Sequence, residues 1–217
     1  MKVMIVPVTA FAQNCSVMWC DETMDGAVVD PGGDLDKIEQ VVAEQGITLK
    51  KVLCTHAHID HAGQLAEFAE RHELPIEGPH REEQFWIDLL PTQGDQFGMP
   101  GARSFEPTRW LDDGDKVTLG NVTFDIVHCP GHTPGHIVFF DAVHRLAIVG
   151  DVLFQYSIGR TDFPRGSHEE LVSSIRNKLF PLGDDITFVP GHGATSTFGA
   201  ERKMNPFVSD IAIQGHG

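Results

Sequence analysis

The chain has 217 residues, of which 41% are hydrophobic and 22% are charged, a balance typical of a soluble globular protein with a substantial core. Its formal net charge of −15 argues against nucleic acid or an anionic membrane as a partner, because both repel an acidic surface. No stretch approaches the ~18 apolar residues of a membrane span, and the N-terminus lacks a clear signal-peptide cleavage site, so we expect a cytoplasmic protein.

The first part of the chain alternates strands with helices. Strands are predicted at Val3–Val8, Ser16–Cys20, Ala27–Val29 and Lys51–Cys54. One helix is expected to be capped by Asp34 and to end at Gly46. A second helix should start near Ala62 and end before Pro75.

The second part begins with a stretch rich in proline and glycine, residues 79–108, in which we predict only a short helix around Glu82–Leu90. Strands follow at Lys116–Leu119, Val122–Val127, Ile137–Asp141, Leu146–Val149 and Ile186–Val189. A third helix should begin near Ser167. Strands and helices mixed in this way predict a layered α/β fold.

Metal-type side chains are densest in the segment His56–His61, which also holds His58 and Asp60. In a helix His56 and His58 would point to different sides, whereas in an extended segment they share one side and can share a metal. The pattern therefore predicts a loop that leaves the strand Lys51–Cys54. Burying this many imidazoles together without a metal would cost desolvation with little return.

Three more candidate ligands, His132, Asp151 and His192, each follow a predicted strand. Together the five histidines and two aspartates exceed what one tetrahedral zinc needs, which predicts two cations that share a carboxylate. Five other histidines lack such companions and are not expected to be ligands: His72, His80, His144, His168 and His216.

Five ordered motifs resemble those of the metallo-β-lactamase superfamily. They are Asp30-Pro31-Gly32, the segment Thr55–His61, the segment Gly131–His136, Gly150-Asp151 and the segment Pro190–Gly193. The resemblance implies an αββα four-layer sandwich spanning residues 1–217 as one domain, with metals at the sheet edges. Within the superfamily the chain most resembles short bacterial glyoxalase II-like hydrolases (hydroxyacylglutathione hydrolases), including the segment Gly159–Pro164.

The resemblance also implies the ligand sets. One metal would be held by His56, His58, His132 and Asp151, and the other by Asp60, His61, His192 and the shared Asp151. Asp30 is expected beneath the metal loop. His136 is expected either to hydrogen-bond behind the ligands or to be a packed structural histidine. Zinc suits these ligands best, and iron or manganese would also fit.

The resemblance to glyoxalase II-like hydrolases implies hydrolysis of a small-molecule thioester such as S-D-lactoylglutathione, with a hydroxide that bridges two metals as the nucleophile. Asp60 would orient the hydroxide as well as bind metal. Because a thiolate leaves easily, no strong general acid is needed.

Several features depart from glyoxalase II. Arg160 replaces a glutathione-binding lysine, and it is expected either to hold a substrate carboxylate or to pair with Asp162, which replaces a glutathione-binding tyrosine. Only 25 residues (217 − 192) follow His192, so a separate C-terminal substrate-binding domain is not expected. One class of true β-lactamases has a cysteine where Asp151 stands, which disfavours antibiotic hydrolysis.

Two rival functions remain open at this stage. The segment Gly159–Phe163 also resembles persulfide dioxygenases, in which His56, His132 and Asp151 would hold a single iron. A non-catalytic metal-binding or sensor protein is the second rival. The segment Pro190–Gly193 favours the dinuclear hydrolases.

Overall fold

The computed structural model describes residues 1–214, and two mixed sheets form its centre. The first sheet contains, in chain order, β1 (Lys2–Val8), β2 (Gln13–Trp19), β3 (Asp25–Val29), β4 (Thr48–Leu53) and β5 (Ile76–Glu77). The second contains β6 (Lys116–Leu119), β7 (Val122–His128), β8 (Ile137–Asp141), β9 (Leu146–Gly150), β12 (Thr187–Pro190) and β13 (Ser196–Thr197). A small hairpin pairs β10 (Leu153–Phe154) with β11 (Ser157–Ile158).

Helices cover the outer faces of both sheets. They are α1 (Leu35–Gln45), α2 (Ile59–Ala62), α3 (Leu65–Arg71), α4 (Gln84–Phe97), α5 (His168–Ser174), α6 (Phe198–Met204) and α7 (Asp210–Gln214). A 3-10 turn, Arg81–Glu83, leads into α4, and a π-helical turn, Ile175–Leu179, extends α5. No helix among residues 1–214 is long and apolar enough to cross a membrane.

Alternation of side chains along the strands builds three core layers. In β3, Val28 packs towards the helices α1 and α3, whereas Ala27 and Val29 pack between the sheets. In β8, Phe139 faces the other sheet, whereas Val138 and Phe140 pack towards α5. Helix, sheet, sheet and helix are therefore stacked, as the αββα prediction required.

Helix α4 is longer than predicted. The sequence predicted only a short helix around Glu82–Leu90, but the helix continues through Pro91 to Phe97. Its apolar face continues past the proline, since Gly94 is buried against Ala102, and a Cβ on Gly94 would lie 2.8 Å from that side chain. Packing of α4 therefore stabilises the helical turn at Pro91, where the proline has no N–H to donate a helical hydrogen bond.

Two other local predictions need correction. Asp34 occupies the N-cap position of α1, but its side chain makes no capping bond; instead it accepts from the Thr9 N–H at 3.1 Å. The helix predicted to start near Ala62 is two helices, α2 and α3, so Asp60 and His61 lie in a short helical turn directly after the extended segment.

Candidate metal centre

The candidate ligands meet where four strands end. His56 and His58 follow β4, and His132 follows β7. Asp151 directly follows β9, and His192 comes after β12. His58 has an extended backbone (φ −69°, ψ 152°), and α2 begins at the next residue, so one short segment presents four candidate ligands to the same point.

The first group of ligand atoms comes from His56, His58 and His132, which lie within 4.8 Å of one another. His132 Nε2 is 3.0 Å from His58 Nδ1. His132 Nδ1 lies 2.7 Å from the carbonyl oxygen of Arg160, to which it donates, so Nε2 carries the lone pair a metal needs.

The second group comes from Asp60, His61 and His192, again within 4.8 Å of one another. His192 Nε2 is 3.1 Å from Asp60 Oδ2, and His61 Nε2 is 3.8 Å from the same oxygen. The other nitrogen of each ring is engaged: His61 Nδ1 with Asp30 at 2.9 Å and His192 Nδ1 with the Phe11 carbonyl at 3.2 Å. Both rings therefore direct Nε2 into the cluster.

Asp151 lies between the two groups. Its Oδ2 is 3.6 Å from His132 Nε2 in the first group and 3.7 Å from His192 Nε2 in the second. Its Oδ1 is 3.3 Å from His61 Nε2. A carboxylate in this position can contact two cations at once.

Two glycines leave room for this carboxylate. Gly150 has φ +49°, and a Cβ there would lie 2.6 Å from His136 Nε2. A Cβ on Gly191 would lie 2.1 Å from Asp151 Oδ1. Neither position accepts a side chain without displacing the site.

The donor atoms suit metal ions. Three polar atoms that point into the cluster, His56 Nε2, His61 Nε2 and Asp151 Oδ1, are buried and have no hydrogen-bond partner among the described residues. Such orphaned atoms are costly unless something else satisfies them. Burial lowers the pKa of His56 and of His58, which keeps both imidazoles neutral, the form that binds metal.

Charges around Asp151 favour its ionised form. Burial opposes ionisation, but the neighbouring His61, His132 and His192 outweigh that effect and hold the pKa of the Asp151 carboxyl well below its usual value. In turn, Asp151 and Asp60 outweigh the effect of burial on His61 and raise its pKa. The aspartates and the protonated histidines of the cluster therefore stabilise one another, and bound cations can take the place of the histidine protons.

Asp30 and His136 lie behind the candidate ligands and hydrogen-bond to them. Asp30 Oδ1 accepts from the Thr55 N–H at 2.7 Å, and its Oδ2 accepts from the Thr55 hydroxyl at 2.5 Å as well as from His61. His136 Nε2 accepts from the Asp151 N–H at 3.0 Å, and its ring stacks on His56 with centroids 4.5 Å apart. His136 thus makes a hydrogen bond to the backbone of a candidate ligand, and its role behind a bound metal stays a prediction.

The isolated histidines lie apart from both groups. Among the described residues, no group of ligand atoms includes His72, His80, His144 or His168. His216 lies outside the described residues. Arg160 pairs with Asp162 through two bonds of 3.0 and 2.8 Å, the second of its two predicted arrangements, and it also lines the cavity described below.

Sequence reasoning missed Glu83 and Trp86. Glu83 is fully buried; its Oε2 accepts from the Ala57 N–H at 3.0 Å and its Oε1 from the Gly135 N–H at 2.8 Å. It thereby connects the loop after β4 to the loop after β7. Burial raises its pKa to about 7, against the effect of these donors. The sequence signal that could have found Glu83 was an acidic residue three positions before a tryptophan on the apolar side of a helix.

A cavity of about 750 Å³ opens over the candidate metal ligands. Its walls include five aromatic side chains: Phe11, Trp86, Phe97, Phe154 and Phe163. The Trp86 ring contacts the His58 ring edge to face, with centroids 4.6 Å apart. The ligand cluster therefore forms the floor of a pocket large enough for a small molecule.

Comparison with known proteins identifies the family to which this fold belongs. The profile of the Metallo-beta-lactamase superfamily matches residues 8–192. The hydroxyacylglutathione hydrolase GloC of Haemophilus influenzae is 45% identical over 210 residues, which cover 96% of this chain and 99% of that protein.

Two solved structures agree closely with the fold. The B3 metallo-beta-lactamase BLEG-1 superposes with a TM-score of 0.87 at 32% identity, over 95% of this chain and 99% of that one. TTHA1623 in a di-iron-bound form superposes with a TM-score of 0.85 at 30% identity, over 94% of this chain and 100% of that one. The chain therefore belongs to the metallo-β-lactamase superfamily.

Proposed function

We propose that this protein is a dinuclear metal-dependent hydrolase of thioesters such as S-D-lactoylglutathione. The observation that carries the proposal is the position of Asp151, whose Oδ2 lies within 3.7 Å of a histidine nitrogen in each ligand group. The similarity to a hydroxyacylglutathione hydrolase along nearly the whole chain supports the substrate class.

Each of the two groups of ligand atoms would bind one cation. His56, His58 and His132 would hold one cation, Asp60, His61 and His192 the other, and Asp151 both. Zinc is our first choice and iron or manganese would also fit; the relative TTHA1623, in its di-iron-bound form, supports the count of two. Two bound cations supply a water that ionises near neutral pH and positive charge for an oxyanion.

The reaction adds water across the thioester. The water oxygen forms a bond to the carbonyl carbon, the carbon–sulfur bond breaks, and the thiolate leaves with the electron pair and takes a proton from solvent. Asp60, whose Oδ2 lies 3.1 Å from His192 Nε2, would orient the attacking water. Thr55 and Asp30 fix the orientation of His61 throughout.

The test combines elemental analysis of the purified protein with a thioester hydrolysis assay. We expect two metal ions per chain and turnover that a His58→Ala variant loses. Unchanged turnover in that variant would contradict the ligand assignment. One iron per chain with oxygen uptake on glutathione persulfide would indicate a dioxygenase instead, and a fully metallated but inactive protein would indicate a sensor.

Hydrolysis of β-lactams is a second candidate, favoured by the likeness to BLEG-1 at 32% identity. The presence of Asp151 argues only against the β-lactamase class that carries a cysteine at this position. A penicillin and a cephalosporin therefore belong in the same panel. Faster turnover of either than of every thioester would replace the thioester assignment.

A further inference from the structure

The hairpin formed by β10 and β11 is one wall of the cavity and begins shortly after Asp151. Its side chains Phe154, Ser157 and Ile158 line the cavity. The centroid of the Phe154 ring lies 6.2 Å from that of the His192 ring. The two strands form a separate two-stranded sheet with two residues in each strand. Because so short a hairpin is marginally stable by itself, its position depends on contacts from the rest of the chain.

A buried carboxylate on α6 binds the turn of this hairpin. Glu201 is fully buried, and its Oε2 accepts from the Tyr156 N–H at 2.8 Å. The same oxygen accepts from Asn205 Nδ2 at 2.9 Å, and that nitrogen also donates to the Ser157 carbonyl at 3.0 Å. Glu201 Oε1 accepts from the Ser196 hydroxyl at 2.5 Å. Two main-chain groups of the hairpin are therefore bound by buried side chains of one short segment.

The turn of the hairpin has a backbone conformation that needs such support. Tyr156 has φ +57°, a left-handed conformation that is uncommon for a residue with a bulky side chain. Its side chain is 48% exposed, so packing of the ring fixes the turn less than the bond from its N–H to Glu201 does. Helix α6 begins at Phe198, beyond the residues 8–192 that the superfamily profile matches. This contact therefore lies outside the part of the chain that the profile describes.

Asp151 is held by contacts that do not involve the hairpin. Its N–H donates to His136 Nε2 at 3.0 Å, and the Gly191 N–H donates to the Gly150 carbonyl at 2.7 Å. Loss of the Glu201 carboxylate should therefore displace the cavity wall and leave the candidate metal ligands in place.

We infer that Glu201 is a positioning residue that sets the affinity for substrate by fixing the hairpin of β10 and β11. This inference rests on the proposed thioester hydrolysis, and it assigns to Glu201 a role in substrate binding that is separate from metal binding.

Steady-state kinetics with S-D-lactoylglutathione test this role. Glu201→Ala removes the acceptor of the Tyr156 N–H, and we expect KM to rise about tenfold, a change of the size that one pocket contact gives. Metal content should equal that of the wild type and kcat should stay within about twofold of it. Glu201→Gln should restore KM to within about twofold, because its amide oxygen can accept where Oε2 does and its NH₂ can donate to the Ser196 oxygen.

Ser196→Ala is the control that separates positioning from stability. It removes the bond to Glu201 Oε1 and leaves both bonds to the hairpin in place, so it should lower Tm and leave KM unchanged. If Glu201→Ala does not fold, Glu201→Asp takes its place. The shorter side chain keeps its charge but withdraws from the Tyr156 N–H, and KM should rise relative to Ser196→Ala.

A spectroscopic signal reports the hairpin directly. The chain has a single tyrosine, Tyr156, so labelling with 3-fluorotyrosine places one ¹⁹F NMR signal at the turn. We expect Glu201→Ala to shift or broaden this signal and Ser196→Ala to retain it.

The outcomes distinguish this inference from the proposed function. An unchanged KM in Glu201→Ala would overturn the inference, and so would a raised KM without a change in the ¹⁹F signal. Loss of metal together with a fall in kcat would show that Glu201 acts on the metal centre instead. Failure of the metal-loaded wild-type protein to hydrolyse any thioester would overturn the proposed function itself.

Discussion

Replacing Glu83 tests whether a buried carboxylate aligns the two metal-binding loops. Glu83→Gln keeps the shape of the side chain but leaves one acceptor oxygen for two donors, the N–H groups of Ala57 and Gly135. Ala57 lies between His56 and His58, and Gly135 lies between His132 and His136. An amide NH₂ that faces one of these N–H groups would push the two loops apart.

The expected loss in the free energy of unfolding follows from the two hydrogen bonds that Glu83 accepts. A buried N–H that loses its acceptor costs about 1–3 kcal/mol. Burial already raises the pKa of Glu83 to about 7, so a neutral amide avoids part of the cost of a buried charge. We therefore expect Glu83→Gln to lower the free energy of unfolding by only about 1 kcal/mol, and Glu83→Ala, which orphans both donors, by about 2–6 kcal/mol.

The effect on metal binding should be larger than the effect on stability. Loss of a contact that orients ligands typically costs about 10–100-fold in metal affinity. The assay follows metal content against chelator concentration, with urea unfolding of the same samples. Glu82→Gln is the control, because it makes the same charge change at a side chain that is 49% exposed and pairs with Arg165. Retention of both metals at wild-type chelator concentrations in Glu83→Gln would refute this reasoning.

Three further substitutions or treatments probe the centre. Removal of metal by a chelator should lower Tm by about 5–10 °C, since a ligand at 100 times its Kd stabilises the folded protein by about 2.7 kcal/mol. Scanning calorimetry with and without added zinc measures this change. An unchanged Tm would count against metal at this site. Asp30→Asn should weaken metal binding by about 10–100-fold in chelator competition, because an amide has one acceptor oxygen for three donors, the Thr55 N–H, the Thr55 hydroxyl and His61. Wild-type affinity would exclude that role. Gly191→Ala places a Cβ 2.1 Å from Asp151 Oδ1, and we expect turnover to fall by about 100-fold with the fold intact by circular dichroism. Normal turnover in that variant would show that Asp151 need not hold its position.

The strands and the ligand positions could be predicted because their signals are local. The pattern from His56 to His61 concentrates metal-type side chains in one segment, and each remaining candidate follows a clear strand. The three-layer core also follows from the alternation seen in β3 and β8.

The parts that could not be predicted depend on tertiary contacts. The position of Glu83 three residues before Trp86 is only a weak local signal, and the importance of Glu83 comes from two backbone donors that are far away in sequence. The helix predicted around Glu82–Leu90 was too short, and Gly94, buried against Ala102, lies in the part of α4 beyond that prediction. Arg160 had two equally plausible partners in sequence, and only the geometry shows the pairing with Asp162.

A crystal structure of the metal-loaded protein, with anomalous data collected at the absorption edge of the bound metal, would test the role of Asp151 most directly. We predict two anomalous peaks about 3.5–4 Å apart, both in contact with the Asp151 carboxylate. A single peak, or a second ion that Asp151 does not touch, would contradict the dinuclear assignment.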